Sequence, residues 1–125
     1  MTSTSAVMLL VGIEKVAGGE GLLGRKPRPT AIFASNDEMA AGVYRAAHNQ
    51  GLAIPRELSV VGYDDGPIAA RLMPPLTTVR LPIRDIGRLA ARKLIVPPGT
   101  PDAGLGDALV VPHLVVRDSC QPPQA

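Results

Sequence analysis

Two positions in this sequence join a polar side chain to a place where chemistry is commonly done. They are Asn36, in Ser35-Asn36-Asp37-Glu38-Met39, and Asp64, in Gly62-Tyr63-Asp64-Asp65-Gly66. Each follows a short apolar run, Ala31-Ile32-Phe33-Ala34 or Val60-Val61, that stops abruptly at acids and amides. In an open α/β sheet such points are the carboxyl ends of strands, where ligands bind. A carboxylate accepts two hydroxyl hydrogen bonds and an amide both donates and accepts, so the pair suits a neutral polyol. Helix capping is the competing use, because Asn and Asp are equally favoured at helix starts.

The adjacent acids Asp64-Asp65 could divide acid and base roles if their surroundings split their pKa values. Neighbours on an extended segment point to opposite sides, however, and so do not share a substrate. His48 falls at a helix end and His113 follows Pro112, and both read as surface or packing residues. No G-x-S-x-G, H-E-x-x-H, phosphate-cradling or dinucleotide motif occurs. The chain therefore reads as no enzyme, with no catalytic residue, no cofactor and no metal. Cys120 is the one cysteine, which excludes an internal disulfide and fits a reducing cytoplasm.

The elements that must carry Asn36 and Asp64 can be read from the apolar pattern. Thr30 to Ala34 predicts a strand, and Ser35 with Glu38 a capping box opening a helix. Met39, Val43, Ala46 and Ala47 recur at helical spacing until Gly51 stops the helix. Ser59 to Tyr63 is the next strand, so strand, helix and strand form a βαβ unit with parallel pairing. Ile68 to Leu72 predicts a short helix closed by Pro74-Pro75, and Thr77 to Arg80 a short extended segment. A second clear helix spans Ile83 to Ile95, with Ile83, Ile86, Ala90 and Leu94 as its apolar stripe and Gly87 allowing close packing. Arg84, Arg88 and Arg92 occupy its exposed face.

The ends are less regular. Val7 to Ile13 suits a buried strand and Glu14 to Leu23 a helix weakened by Gly18, Gly19, Gly21 and Gly24. Residues 1–15 are thus an uncertain N-terminal segment. Residues 96–107 read as a Pro/Gly loop, 108–116 as an edge strand bent at Pro112, and 121–125 as a disordered tail.

A chain of 125 residues suffices for one domain. Its net charge of +2 gives no basic stripe of the kind nucleic acid requires. Phe33, Tyr44 and Tyr63 are the only aromatics, so stacking platforms are scarce. The run from Ala6 to Ile13 is too short to span a bilayer and lacks the basic start of an export signal. A cytoplasmic protein without a membrane partner is expected.

Three segments together resemble the LacI/GalR family of bacterial transcription regulators. They are Arg28 to Ala40 (RPTAIFASNDEMA), Leu58 to Asp65 (LSVVGYDD) and Pro74 to Arg80 (PPLTTVR), and their order and spacing also match. With 87–95 and 114–117, the resemblance spans residues 16–120. It implies an α/β fold: a three-layer (αβα) parallel sheet of the periplasmic-binding-protein-like I type, incomplete and mostly the C-terminal subdomain. It further implies a small effector, a sugar or nucleobase, contacted by Asn36 and Asp64, with Tyr63 and Asp65 shaping the strand end. Met39, Ala41, Ala70, Arg71 and Leu72 match positions near the family's homodimer interface. Thr78, Val79, Arg80 and Leu81 match the segment that crosses between subdomains as a hinge, although Leu81 stands where the family commonly has Gln. The helix-turn-helix headpiece and first subdomain have no counterpart here, so operator DNA would be bound only through a headpiece absent from this sequence. The expectation is an effector-sensing fragment holding one wall of a cleft. A stand-alone sugar-binding protein of the transport type, with the same fold, is the alternative.

Overall fold

The computed structural model describes residues 7–10, 15–97, 100 and 109–123, with side chains from residue 18 onward. Five strands form one sheet in sequence order: β1 (Val7–Leu10), β2 (Ala31–Ala34), β3 (Ser59–Asp64), β4 (Thr77–Arg80) and β5 (His113–Val115). The first four pair in parallel and β5 closes the edge antiparallel to β4. Helices α1 (Lys15–Leu23) and α2 (Asp37–Asn49) follow β1 and β2, and α3 (Ile83–Ile95) lies between β4 and β5.

One sheet face is sealed by alternation. Ile32 and Ala34 of β2 and Val60 of β3 point into a core completed by Met39, Val43, Ala46 and Ala47 of α2 and by Leu23, Leu58 and Leu76. Such branched and small side chains fill the space between a helix and a pleated sheet without large rings. Gly19 earns its place in α1, because a Cβ there would lie 3.1 Å from the Ala46 Cβ and 3.2 Å from the Val43 Cα. The glycines that weaken α1 as an isolated helix thus let it approach α2 closely. On the other face Phe33, Val61 and Tyr63 are only partly covered, so the described residues supply two of the expected three layers.

Several sequence expectations need correction. The cap of α2 is Asn36 rather than Ser35, with φ −155° and its Oδ1 accepting the Met39 amide at 2.8 Å. Ser35 donates instead to the Met39 sulfur at 3.3 Å. The predicted helix from Ile68 to Leu72 is a run of turns, with Leu72 N and Arg71 N both bonded to the Ile68 carbonyl. Two prolines ahead of it in the chain's path and only five residues of length leave no room for a second helical turn. Helix α3 has the predicted bounds, but its stripe is bare: Ile83 is 61% exposed and Leu94 87%. Gly87 has nothing within 4 Å, so it serves no close packing here.

Residues 1–6, 11–14, 98–99, 101–108 and 124–125 lie outside the described residues, and with them most of the Pro/Gly loop and parts of the predicted ends. Gln121, expected to begin a disordered tail, is held at both main-chain groups by Ser59: its N donates to Ser59 Oγ at 3.1 Å and its O accepts from it at 3.0 Å. Segment 117–121 wedges between the amino ends of β3 and β4. Val60 N donates to the Ser119 carbonyl, and Asp118 N to that of Pro75.

Candidate effector-binding wall

Strand register decides what Asn36 and Asp64 can do together. The β2–β3 ladder pairs Ile32 with Val60 and Phe33 with Val61. Asn36 and Asp64 each stand three residues beyond the last pair, so they are level at the carboxyl ends of adjacent parallel strands. Asn36 uses Oδ1 to cap α2, which leaves its Nδ2 without a partner among the described residues. The capping and ligand readings are therefore compatible: one atom serves each.

Asp64 is exposed and makes no side-chain bond among the described residues. Its backbone has φ 110° and that of Asp65 φ 55°, both in a region that L-residues rarely occupy. Such strain costs roughly 1–3 kcal/mol and collects at functional sites. It turns the chain sharply, so that Asp64 faces outward while Asp65 turns in. Partial desolvation, and then the charge of Asp37, push the Asp64 carboxyl above the ordinary aspartate value.

Asp65 has the opposite surroundings, with its side chain 5% exposed. Arg117 Nη2 lies 2.7 Å from Oδ1, and Arg80 Nε and Nη2 each lie 2.5 Å from Oδ2. Desolvation raises this carboxyl, but hydrogen bonds and charge from Arg117 and then Arg80 outweigh it and hold it below the usual value. Arg117 also donates to the Leu76 carbonyl at 2.8 Å. Asp65 is thus the anchor that joins the β3 end to β4 and to the C-terminal segment. Tyr63 pairs with Val79 in the β3–β4 ladder and is half-buried.

A cavity of about 390 Å³ opens beside Asp64, lined by Asp37, Glu38, Asp64, Gly66, Pro67, Ile68 and Arg71. Arg71, expected near a dimer interface, therefore shares a cavity with Asp64, whereas Asn36 does not line it. Met39, another expected interface residue, is 6% exposed and belongs to the core. Ala70 is exposed, and Ala41 and Leu72 are half-buried. In the hinge segment Thr78 is fully buried, Val79 and Leu81 are partly covered and Arg80 is exposed. His48 lies in the last turn of α2, and His113 on edge strand β5 stands two strands from Asp64 with Arg80 between them in register. No group of three or more metal-ligating side chains forms among the described residues, and no described helix is long and apolar enough to cross a membrane.

Sequence reasoning missed the weight of Asp37, Arg117 and Ser119. Asp37 stands in the sequence only as part of the segment from Arg28 to Ala40, and Arg117 only as the end of 114–117, with no role of its own for either. Their partners are Thr78, Asp65 and Thr77, some forty to fifty residues away in the chain, and no local pattern encodes such pairings.

A family model described as a periplasmic binding protein-like domain matches residues 4–120, ahead of residue 16 where the motif resemblance starts. The ribose operon repressor of Haemophilus influenzae is 39% identical over 104 residues, covering 83% of this chain and 31% of that protein. The chain belongs to the LacI/GalR family. Among solved structures, a sugar-binding LacI-family transcriptional regulator from Escherichia coli, complexed with phosphate, superposes with a TM-score of 0.77. It is 34% identical over 87% of this LacI/GalR chain and 39% of its own. The transcriptional regulator CelR in complex with cellobiose gives a TM-score of 0.71 at 34% identity, over 84% of this chain and 32% of its own. The LacI/GalR chain thus spans about a third to two fifths of the length of these three relatives. It is a periplasmic-binding-protein-like sensor domain in part, and its homologues are sugar-responsive transcriptional regulators.

Proposed function

We propose that this chain is the effector-sensing portion of a cytoplasmic transcriptional regulator, and that its effector is a small sugar. The observation that carries the reading is Asp64: a carboxylate unpaired among the described residues, on strained backbone, at a parallel-strand carboxyl end and level with Asn36. In this reading Asp64 accepts two sugar hydroxyls and Asn36 Nδ2 donates to a third. Tyr63 and Asp65 fix the strand end, and residues 78–81 carry the chain toward a second wall. Effector binding then shifts a homodimer, with Ala41, Ala70, Arg71 and Leu72 at its interface, between two arrangements. The shift requires different sugar affinities in the two states. Operator DNA is bound through a headpiece outside this sequence. No turnover is expected, because no imidazole or thiol is hydrogen-bonded to Asp64 among the described residues to share a proton with it.

Ribose and cellobiose, named in two relatives, open the test panel. Amide and carboxyl NMR shifts of the chain are followed during millimolar sugar titrations. Shifts clustered at Asn36, Asp64 and Gly66, lost in Asp64→Asn, support the reading. Sugars that move no resonance near Asp64, or move it equally in the variant, refute it.

A further inference from the structure

Behind the exposed wall lies a carboxylate that the sensing reading does not use. Asp37 opens α2 and is 2% exposed. Its Oδ2 accepts the Gly66 amide at 2.7 Å, and its Oδ1 accepts the Thr78 hydroxyl at 2.5 Å. No lysine or arginine pairs with it among the described residues. A buried carboxylate held by neutral donors alone is costly, so an apolar residue would serve plain packing better. Space for it comes from Gly62, where a Cβ would run into the Asp37 carboxylate and lie 2.7 Å from Leu76 Cδ2.

Three elements meet on this one side chain: the start of α2, the loop after β3 and strand β4. The loop holds two left-handed residues and leaves the β3 ladder at Asp64, so the Gly66 amide is its hold on the helix. We propose that Asp37 is a positioning residue that ties the Asp64 loop to strand β4, so that displacement of either is carried to the other. An aspartate rooted in a helix has two side-chain torsions and cannot follow one partner while keeping the other. A β4 shift that draws Thr78 away must therefore drag the carboxylate from Gly66 or break its own bond. Movement of the loop by a bound hydroxyl compound is felt at Thr78 by the same route. Asp37 also sets the charge beside Asp64, whose carboxyl it pushes up after desolvation.

The tie takes the effector role of Asp64 from the proposed function, but it is read without any ligand, so the two fail separately. Amide hydrogen exchange is measured on the whole chain as wild type, Thr78→Val and Thr78→Ser. Thr78 makes no hydrogen bond to Gly66, yet Thr78→Val is expected to speed Gly66 exchange about fivefold, the worth of one hydrogen bond. Thr78→Ser, which keeps the hydroxyl, restores the slow rate, and the amides in the middle of α2 keep theirs. Unchanged Gly66 exchange in a folded Thr78→Val chain overturns the tie. In Asp37→Asn the Asp64 carboxyl midpoint, followed by carbon NMR, is expected to fall toward the ordinary aspartate value. A midpoint that stays where the wild type has it overturns the electrostatic half, and rescue of Gly66 exchange by Ser alone separates positioning from mere packing.

Discussion

Replacing Ser119 with alanine deletes one oxygen from the least replaceable point of the C-terminal wedge. Ser119 is fully buried. Its hydroxyl donates to the Val60 carbonyl at 2.6 Å and accepts the Thr77 amide at 2.8 Å, and so spans the gap between β3 and β4. The alanine methyl can do neither. A buried donor that loses its partner costs about 1–3 kcal/mol, and the Thr77 amide is buried. The Val60 carbonyl retains the Cys120 thiol at 3.3 Å, a weak donor, and so loses less. The two terms together give a loss of about 2–3 kcal/mol, a sizeable share of the roughly 5–15 kcal/mol of a typical domain. Urea unfolding followed by circular dichroism checks it, with a lower midpoint and an unchanged slope as the expected result. Cys120→Ala, which removes only the weak donor, should cost less than about 1 kcal/mol. A Ser119→Ala loss under about 0.5 kcal/mol, the range of ordinary surface changes, would falsify the wedge argument.

Asp65 makes stability sensitive to acid. Its folded pKa lies below the ordinary aspartate value of 3.8, so its contribution is present above that value and lost as pH falls through the folded pKa. Acid unfolding should therefore steepen below about pH 4 and flatten in Asp65→Asn. Arg117→Met should destabilise more than Arg80→Met, because the Arg117 side chain is 19% exposed against 50% and also binds the Leu76 carbonyl; equal midpoints in urea would count against the anchor. Asp64→Gly should raise stability by about 1 kcal/mol through relief of left-handed strain, while losing any sugar response. Asp64 has a raised folded pKa, so its contribution is greatest below 3.8 and is lost as pH rises through the folded value. Neutralising it helps most at neutral pH. Paired lysines at Ile83 and Ile95 should leave the urea midpoint within about 0.5 kcal/mol, since both are exposed, yet reduce self-association in sedimentation.

What the sequence determined by itself is the frame of the wall. Apolar runs ending in Asn36 and Asp64 marked two strand ends, because a buried strand must be apolar and its carboxyl end need not be. The 3.6-residue repeat of Met39, Val43, Ala46 and Ala47 identified the face of α2 that the core covers. The same logic placed α3 at its true bounds and still misjudged it, since amphipathicity says which face can be buried and not whether a partner is there. Capping went to Asn36 rather than Ser35 because both residue types satisfy the rule and only the path of the chain out of β2 chooses between them. Asp37, Arg117 and Ser119 lay beyond any local pattern. Their partners arrive only when β4 and the C-terminal segment settle against β3, and a hydrogen bond across forty residues leaves no periodicity in a sequence. Tertiary structure alone decided that Asp65 turns inward to two arginines and Asp64 outward to an open cavity. The sequence makes them a simple pair of acids. The left-handed turn between them, held on one side by Arg80 and Arg117, gives them different work.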